Sequence, residues 1–241
     1  MQNLYPIFLQ STGVSTDTRT LQSGQLYFAL KGPSFNGNLF AKQALENGAL
    51  AVVVDEPIEG ADERFILVDD TLKSLQQLAN HHRKQLATPI IALTGSNGKT
   101  TTKELIHAVL KSHYRVIATE GNLNNHIGVP LTLLRLKPDT EFAVVEMGAN
   151  HLGEIALLTE ITQPDYGLIT NFGKAHLEGF GSLEGVIKGK SELFDYLKAQ
   201  KGVIFANGDD EKMMIQLDGY PAYTYGLQKN FNFYAKIQIF L

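Results

Sequence analysis

The stretch PIIALTGSNGKTTTKELIHAVLK, residues 89–111, constrains the fold of this chain more than any other part of its sequence. The run IIALT predicts a buried strand, GSNG predicts a tight turn, and the apolar spacing that follows predicts a helix. A strand that enters a helix through a glycine turn is typical of open α/β sheets. The predicted buried face of the helix consists of Leu105, Ile106, Val109 and Leu110.

This strand, turn and helix would surround an anion with backbone N–H groups and the positive end of the helix. Lys99 could reach the β- and γ-phosphates of ATP, and the Thr100 hydroxyl could reach Mg²⁺. The usual pattern G-x-x-x-x-G-K-[ST] is incomplete because Leu93 occupies its first position. A helix start with an incidental lysine is the alternative. The candidate nucleotide-binding residues are Gly95, Ser96, Asn97, Gly98, Lys99, Thr100 and Thr101.

The composition is that of a globular protein, with 44% hydrophobic and 19% charged residues among 241 and a net charge of −4. No strongly basic surface for nucleic acid is expected from that charge. The chain has no cysteine, which excludes disulfides and thiolate metal sites. No apolar run approaches the ~20 residues of a membrane span, and no secretory signal opens the chain. We therefore expect a cytoplasmic monomer.

The order of apolar segments predicts an α/β fold in two domains. A small α/β domain is expected over 1–86, and strands alternating with helices over 87–241 predict a mainly parallel sheet flanked by helices. The final segment QKNFNFYAKIQIFL is strand-like, yet no partner strand follows it. From that pattern we expect the second domain to be truncated.

Two polar residues follow predicted strands, where ligands of open α/β sheets collect. Glu146 ends FAVVE and could hold a metal bound to nucleotide phosphates, or it could be a solvated carboxylate at the edge of a loop. His176 lies beyond YGLITN and could bind metal or phosphate, although a single histidine is often an ordinary polar residue.

Two further sets of residues remain ambiguous from position alone. One consists of lysines on the predicted helix GVIKGKSELFDYLKA, which by default form a solvated face. The other consists of asparagines in GNLNNHIGVP, which turn formation alone could explain. The lysines are Lys188, Lys190 and Lys198. The asparagines are Asn122, Asn124 and Asn125.

Several segments together resemble the Mur ligases: TGSNGKTTTKE, GNLNNHIGVPLTLLRL, EMGANHLGEI and AHLEGFGSLEGVIKGKSELF. The segment STDTRTLQSGQLYFALKG resembles their N-terminal domain, so the resemblance covers nearly the whole chain. The family's loop reads T-G-x-x-G-K-T, which accounts for Leu93. The resemblance implies an ATP-dependent ligase that converts a carboxylate into an acyl phosphate, which an amine then attacks to form an amide.

Within the family, these motifs most resemble the members that join D-alanyl-D-alanine to UDP-N-acetylmuramoyl-tripeptide in peptidoglycan precursor synthesis. The ligase that adds the third residue of the stem peptide, and a non-catalytic P-loop nucleotide-binding module, are the alternatives. Family members carry a third, C-terminal domain, which we expect to be absent here. We therefore expect the 241-residue chain to bind ligands weakly and not to turn over alone.

The resemblance also implies roles for individual residues of the second domain. Lys99 would contact the β- and γ-phosphates, and Thr100 with Glu146 would hold one Mg²⁺. His176 would bind a second Mg²⁺ near the acyl phosphate, together with Lys190 as a carbamylated lysine. The implied catalytic residues are thus Lys99, His176 and Lys190, and the implied metal-binding residues are Thr100, Glu146, His176 and Lys190.

Further roles concern the nucleotide and the UDP-bearing substrate. Asn125 matches an asparagine-rich stretch that approaches the nucleotide. Residues 1–86 would read the UDP group of the muramoyl peptide through two loops, although turn formation could also explain a hydroxyl and an Asp there. The first loop consists of Thr16, Asp17, Thr18 and Arg19. The second consists of Lys31, Gly32, Phe35, Asn36 and Gly37.

Overall fold

The computed structural model describes residues 4–173 and 177–235. The chain separates into two compact units. One comprises Met1–Leu86 with Leu133–Arg135, and the other comprises Ala87–Thr132 with Leu136–Leu241. No helix within the described ranges is long and apolar enough to cross a membrane.

The first unit is built on a four-stranded parallel sheet with the order β1-β2-β5-β6. Its central strands are completely buried, as the runs LYF and AVVV predict. A short antiparallel pair, β3 and β4, carries the second predicted substrate loop. The elements are α1 Leu4–Gln10, β1 Val14–Ser15, β2 Leu26–Phe28, β3 Lys31–Gly32, β4 Phe35–Asn36, a 3₁₀ turn Gly37–Phe40, α2 Ala41–Glu46, β5 Ala51–Val54, β6 Phe65–Leu67 and α3 Thr71–Gln85.

The second unit contains a seven-stranded parallel sheet with the order β13-β12-β11-β10-β7-β9-β8. The predicted α/β class and parallel sheet with flanking helices are therefore confirmed. The elements are β7 Ile90–Thr94, α4 Lys99–Lys111, β8 Val116–Ala118, α5 Gly128–Leu133, β9 Phe142–Glu146, α6 Glu154–Thr162, β10 Tyr166–Ile169, α7 Leu177–Phe180, α8 Leu183–Gln200, β11 Val203–Asn207, α9 Glu211–Leu217, β12 Tyr223–Gly226 and β13 Phe233–Tyr234.

Strand β7 lies near the centre of this sheet, between β10 and β9. Because all three strands run parallel, their carboxyl ends meet at one edge, where the loops that follow them converge. Leu93 pairs with Glu146 in the register of β7 and β9, and Thr94 pairs with Ile169 in that of β7 and β10. The glycine turn after β7 therefore has neighbouring strand ends on both sides.

The predicted buried face of α4 is wrong in part. Leu105 and Val109 are 64% and 71% exposed, whereas Ile106 and Leu110 pack against the apolar cluster on the sheet. The third inward position is Lys103, which is only 1% exposed. The helix is thus rotated so that a lysine occupies part of the face that the pattern assigned to apolar residues.

Candidate active site

The turn after β7 has a backbone that only glycine adopts without strain. Gly95 has φ +141°, and a Cβ there would overlap the Thr170 hydroxyl. Gly98 has φ +76° and precedes α4 without any side-chain cap. The first N–H groups of the helix therefore remain available to an anion, as the sequence pattern predicts.

The turn is held from the neighbouring strand end of β10. Asn171 accepts the Ser96 N–H at its carbonyl and the Asn97 N–H at Oδ1, at 3.1 and 3.2 Å. The Thr170 hydroxyl donates to the Asn97 carbonyl at 2.7 Å, and the Ser96 hydroxyl donates to the Gly173 carbonyl at 2.9 Å. The loop is consequently fixed in place without a ligand. Neither Thr170 nor Asn171 was predicted as a site residue, although their position directly after a strand was an available signal.

Lys99 lies in the first turn of α4, and its ammonium folds back onto the loop. Its Nζ donates to the carbonyls of Gly95 and Ser96 at 2.8 and 3.3 Å. Burial lowers the pKa of Lys99, and the charge of Glu146 opposes that shift. The cation therefore lies at the glycine turn, within electrostatic reach of Glu146. Thr100 and Thr101 are exposed in the same turn.

Glu146 is 1% exposed at the carboxyl end of β9, so a solvated carboxylate at a loop edge is the wrong interpretation. Its Oε1 accepts a hydrogen bond from Asn124 Nδ2 at 2.8 Å, and its backbone N–H donates to the Thr119 hydroxyl at 2.9 Å. Its buried Oε2 has no hydrogen-bond partner among the described residues. A buried carboxylate oxygen in that condition requires a cation or a donor.

Magnesium fits this donor set. Across residues 4–173 and 177–235, no group of three or more His, Cys, Asp or Glu side chains forms a metal cluster. Mg²⁺ retains several waters and is commonly bound by one or two carboxylates together with substrate phosphates. One buried carboxylate beside a phosphate-binding turn, with the Thr100 hydroxyl in the same helix turn, has that composition.

Burial distinguishes between the competing lysines of α8. Lys188 is exposed, whereas Lys190 is 1% exposed and donates from Nζ to the Ala149 carbonyl at 3.2 Å. The ammonium also lies 5.3 Å from the centroid of the Phe180 ring. Burial, followed by the charge of Lys99, lowers the pKa of Lys190 to about 8.

The carboxylates of Glu154 and Glu192 act in the opposite direction on that pKa. Both are held by backbone N–H groups: Glu154 accepts those of Asn150 and His151, and Glu192 accepts those of Gly153 and Ala156. Lys190, Lys99 and Glu146 are therefore coupled electrostatically through Lys99. Lys198 instead donates to the Gln216 carbonyl at 2.5 Å.

For Asn125 and His176, the structure gives no support for the predicted ligand contacts. The Asn125 side chain accepts the N–H groups of Ile127 and Gly128 at 3.1 and 2.9 Å, so it stabilises the start of α5. Turn formation thus accounts for that side chain, and its contact with nucleotide stays a prediction. His176 lies outside the described residues. Asn124, beside Asn125, is the asparagine that contacts Glu146, and the sequence offered no means of choosing it.

In the first unit, residues 16–19 form a turn closed by its own charges. Arg19 Nε donates to Asp17 Oδ1 at 2.9 Å, and Nη2 donates to Oδ2 at 2.6 Å. That pairing lowers the pKa of Asp17 to about 2. Thr16 and Thr18 flank Asp17 in this turn, and the Thr18 carbonyl accepts a hydrogen bond from Asn47. The Arg19 side chain is 86% exposed and is accessible to a ligand.

The second loop, on β3 and β4, is likewise held by side-chain contacts. Lys31 pairs with Asp55 and Glu56 at 3.1 and 3.4 Å, and Asn36 Nδ2 donates to Glu56. Gly32 is exposed, and the half-exposed Phe35 ring stacks on another ring, at a centroid distance of 5.6 Å. That second ring belongs to Phe40.

The two loops of the first unit converge on Tyr27. Its hydroxyl donates to the Gly37 carbonyl at 3.2 Å. Burial and the charge of Asp17 raise the pKa of Tyr27 to about 12. A Cβ at Gly37 would lie 2.6 Å from the Leu30 carbonyl oxygen, which explains the glycine structurally. Tyr27 thus contacts the second predicted substrate loop and lies within electrostatic reach of the first.

Comparisons with known proteins agree with these features. The profile of the Mur ligase middle domain matches residues 93–240, and that of the Mur ligase family catalytic domain matches residues 10–83. The UDP-N-acetylmuramoyl-tripeptide–D-alanyl-D-alanine ligase of Bacillus subtilis is 50% identical over 200 residues, which are 82% of this chain and 44% of that protein.

Solved structures show the same fold. MurF from Acinetobacter baumannii superposes with a TM-score of 0.83 at 35% identity, over 93% of this chain and 52% of that one. MurF ligase from Thermotoga maritima in complex with ADP gives 0.82 at 31% identity, over 92% and 51%. The chain spans about half the length of the relatives that it matches. Since the middle-domain profile alone covers more than half of its residues, the chain belongs to the Mur ligase family.

Proposed function

We propose that the chain supplies the nucleotide- and acceptor-binding part of an ATP-dependent ligase that joins D-alanyl-D-alanine to UDP-N-acetylmuramoyl-tripeptide. The name of the relative that shares half of its aligned residues supports this choice of substrates. The ADP in the Thermotoga maritima structure supports the nucleotide. The substrates come from these relatives, while the site residues are argued from this chain.

The observation that carries the proposal is the unpartnered, buried Oε2 of Glu146 beside a preformed phosphate-binding turn. A buried carboxylate alone would be costly, and the Lys99 ammonium interacts with its charge while donating its hydrogen bonds to the Gly95 and Ser96 carbonyls. Bound phosphates with Mg²⁺ would satisfy both groups, since the metal neutralises the carboxylate and the phosphates receive the ammonium.

The reaction requires positioning and charge neutralisation more than covalent help from the protein. A carboxylate oxygen of the muramoyl peptide forms a bond to the γ-phosphorus while the bond to ADP breaks. The amine of D-alanyl-D-alanine then forms a bond to the acyl carbon, phosphate leaves and the nitrogen loses a proton. Magnesium, when bound, would neutralise phosphate charge during the first step. Lys99 would release the carbonyls of Gly95 and Ser96 to contact the phosphates.

Lys190 is the proposed carbamylated residue. Its buried amine, with a pKa lowered to about 8, is partly neutral near physiological pH. A neutral amine can add to CO₂ with loss of a proton, giving a carbamate anion at the position of the cation. That anion would suit a second Mg²⁺, for which His176 is the other proposed ligand. Asn125 is proposed to approach the nucleotide.

Recognition of the UDP group is assigned to the two loops of the first unit. Arg19 and Lys31 supply exposed cationic groups, and Phe35 supplies an exposed ring. A diphosphate carries charge that guanidinium and ammonium groups bind, and a uracil ring stacks on aromatic side chains. The ion pairs within both loops would be partly replaced by contacts to the ligand phosphates.

Calorimetric titration of the full 241-residue chain with UDP-N-acetylmuramoyl-tripeptide tests the proposal. The comparison ligands are UDP-N-acetylmuramoyl-dipeptide, UDP and Mg-ADP. We expect the tripeptide to bind more tightly than the dipeptide, and Mg-ADP to bind independently. Preference for the dipeptide would favour the ligase that adds the third stem residue. Binding of Mg-ADP without any UDP compound would leave a nucleotide-binding module.

A further inference from the structure

We propose that Asn124 and Lys103 are positioning residues that fix Glu146 from two sides, one through its carboxylate and the other through its backbone. The inference rests on the proposed function, in which Glu146 binds Mg²⁺. Neither residue would touch substrate or metal. Together they would determine where the free carboxylate oxygen points relative to the phosphate-binding turn.

Asn124 acts on the carboxylate. Its Nδ2 donates to Glu146 Oε1 at 2.8 Å, so one oxygen is occupied and Oε2 is left for a cation. The backbone of Asn124 is fixed as well, because its carbonyl accepts the Gly148 N–H at 2.7 Å. A Cβ at Gly148 would lie 2.8 Å from Asn124 Oδ1, so the side-chain amide packs closely against the chain beyond β9. The amide therefore has little freedom to leave the carboxylate.

Lys103 acts on the backbone. This lysine is 1% exposed, and its Nζ donates to the Thr119 carbonyl at 2.7 Å and pairs with the exposed Glu104 at 2.7 Å. The Thr119 N–H donates to the Val144 carbonyl at 3.0 Å, and the Thr119 hydroxyl accepts the Glu146 N–H. Lys103 thus reaches Glu146 through a single intervening residue.

Because Lys103 lies on α4, its contact with Thr119 links this helix to the end of β9. Lys99 and Lys103 lie one helical turn apart on the same face of α4, since residues four apart are neighbours there. The helix that presents its N-terminus to phosphate is therefore tied to the strand end that presents the carboxylate. Burial of a lysine is costly unless it is well paired, and an apolar residue could fill the same space. A positioning role explains why a charge is present.

Metal affinity of the full chain tests Asn124. Binding of Mn²⁺ is measured by electron paramagnetic resonance in the presence of saturating ADP, and binding of ADP is measured by calorimetry without metal. We expect Asn124→Leu to weaken Mn²⁺ binding about 10-fold, the lower end for loss of a hydrogen bond to a ligating group. Metal-free ADP affinity should be unchanged. Asn122→Leu, at an exposed position in the same loop, is the matched control and should bind as wild type does.

The same measurements on Lys103→Met test the second arm, with Lys111→Met at an exposed position of α4 as the control. We expect a smaller loss of Mn²⁺ affinity, a few-fold, because the effect passes through Thr119. If Asn124→Leu does not fold, Asn124→Ala removes the donor without adding bulk. Unchanged Mn²⁺ affinity in a folded Asn124 variant overturns the inference alone. Failure of the wild-type chain to bind Mn²⁺ with ADP overturns the proposed function as well.

Discussion

The proposed phosphate-binding turn of the second unit and the proposed substrate loops of the first unit differ in which polar groups they leave without a partner. The turn is held by backbone and hydroxyl contacts from Thr170 and Asn171, and Glu146 beside it has a buried oxygen without a partner in the described structure. In the first unit, Arg19 and Lys31 already pair with carboxylates. The Arg19 side chain is 86% exposed, whereas that of Lys31 is 43% exposed and its partner Asp55 is buried.

The difference indicates which interactions contribute to ligand affinity in each unit. A buried unpaired carboxylate is costly, so a metal with phosphates gains from removing that cost. An exposed ion pair contributes little, so exchanging one partner for a ligand phosphate loses little. We infer that the second unit derives affinity from preorganisation, whereas the loop at residues 16–19 of the first unit derives it from an exchangeable surface charge.

The largest expected effect comes from breaking the preformed turn. In Gly95→Ala, the new Cβ would overlap the Thr170 hydroxyl, and φ +141° would be strained for any side chain. We expect a destabilisation of about 3 kcal/mol, from strain and overpacking together. Binding of Mg-ADP should be lost. Urea unfolding and calorimetry measure the two effects.

Gly219→Ala is the matched control for that variant. Gly219 also has a positive φ, +75°, but a Cβ there would meet nothing within 4 Å. The variant should lose only about 1 kcal/mol, the cost of the left-handed conformation, and should bind Mg-ADP normally. Equal losses in both variants would mean that contact with Thr170 does not shape the turn.

The second prediction contrasts a buried lysine with an exposed one. With ¹³C-labelled bicarbonate, the carbon signal of a lysine carbamate should be present in wild type and Lys188→Met but absent in Lys190→Met. The pKa of Lys190 is lowered to about 8, so its neutral fraction rises as pH rises. That fraction is about one tenth at pH 7 and about one half at pH 8. At a fixed concentration of dissolved CO₂, the signal should therefore grow over that interval.

A signal that persists in Lys190→Met would place the carbamate on another lysine. A signal that falls between pH 7 and 8 would contradict addition of the neutral amine to CO₂, because protonated amine does not react. Either result would remove the chemical contrast between Lys190 and Lys188, although their difference in exposure would remain.

Much of the site could be predicted because it follows from strand ends. The glycine turn lies after β7 and Glu146 lies at the end of β9, and parallel strands bring those ends together. The inward face of α4 could not be predicted from apolar spacing. Lys103 occupies that face because its long side chain reaches the Thr119 carbonyl, and the helix turns Leu105 outward.

The sequence alone also could not distinguish the roles of neighbouring residues of the same type. Asn124 and Asn125 lie in the same loop, yet one contacts Glu146 and the other stabilises the start of α5. The difference depends on side-chain direction in an irregular turn, which has no periodicity to reveal it. The choice between Lys188 and Lys190, which both lie on helix α8, was made from the family resemblance, and their burial then agreed with that choice.

The smallest expected effect concerns the exposed ion pair between Asp17 and Arg19 in the first unit. A second ion pair in the same unit has the same geometry and serves as a comparison. Asp17 with Arg19 and Asp62 with Arg64 form the same turn, in which the arginine N–H and guanidinium both contact the carboxylate. Hydrogen bonding from the paired arginine lowers the pKa of Asp17 to about 2 and lowers that of Asp62. The stabilisation is therefore present above pH 4, the unfolded range of an aspartate, and is lost as pH falls through the folded pKa.

Thermal unfolding midpoints between pH 6 and pH 2 should show this for Arg19→Ala and Arg64→Ala alike. We expect both variants to fall slightly below wild type above pH 4, since exposed pairs contribute little, and to converge with wild type near pH 2. A markedly larger loss in Arg19→Ala would show that residues 16–19 are built as rigidly as the phosphate-binding turn. The charge of Arg19 would then not be readily exchangeable, and the contrast between the two units would be wrong for residues 16–19.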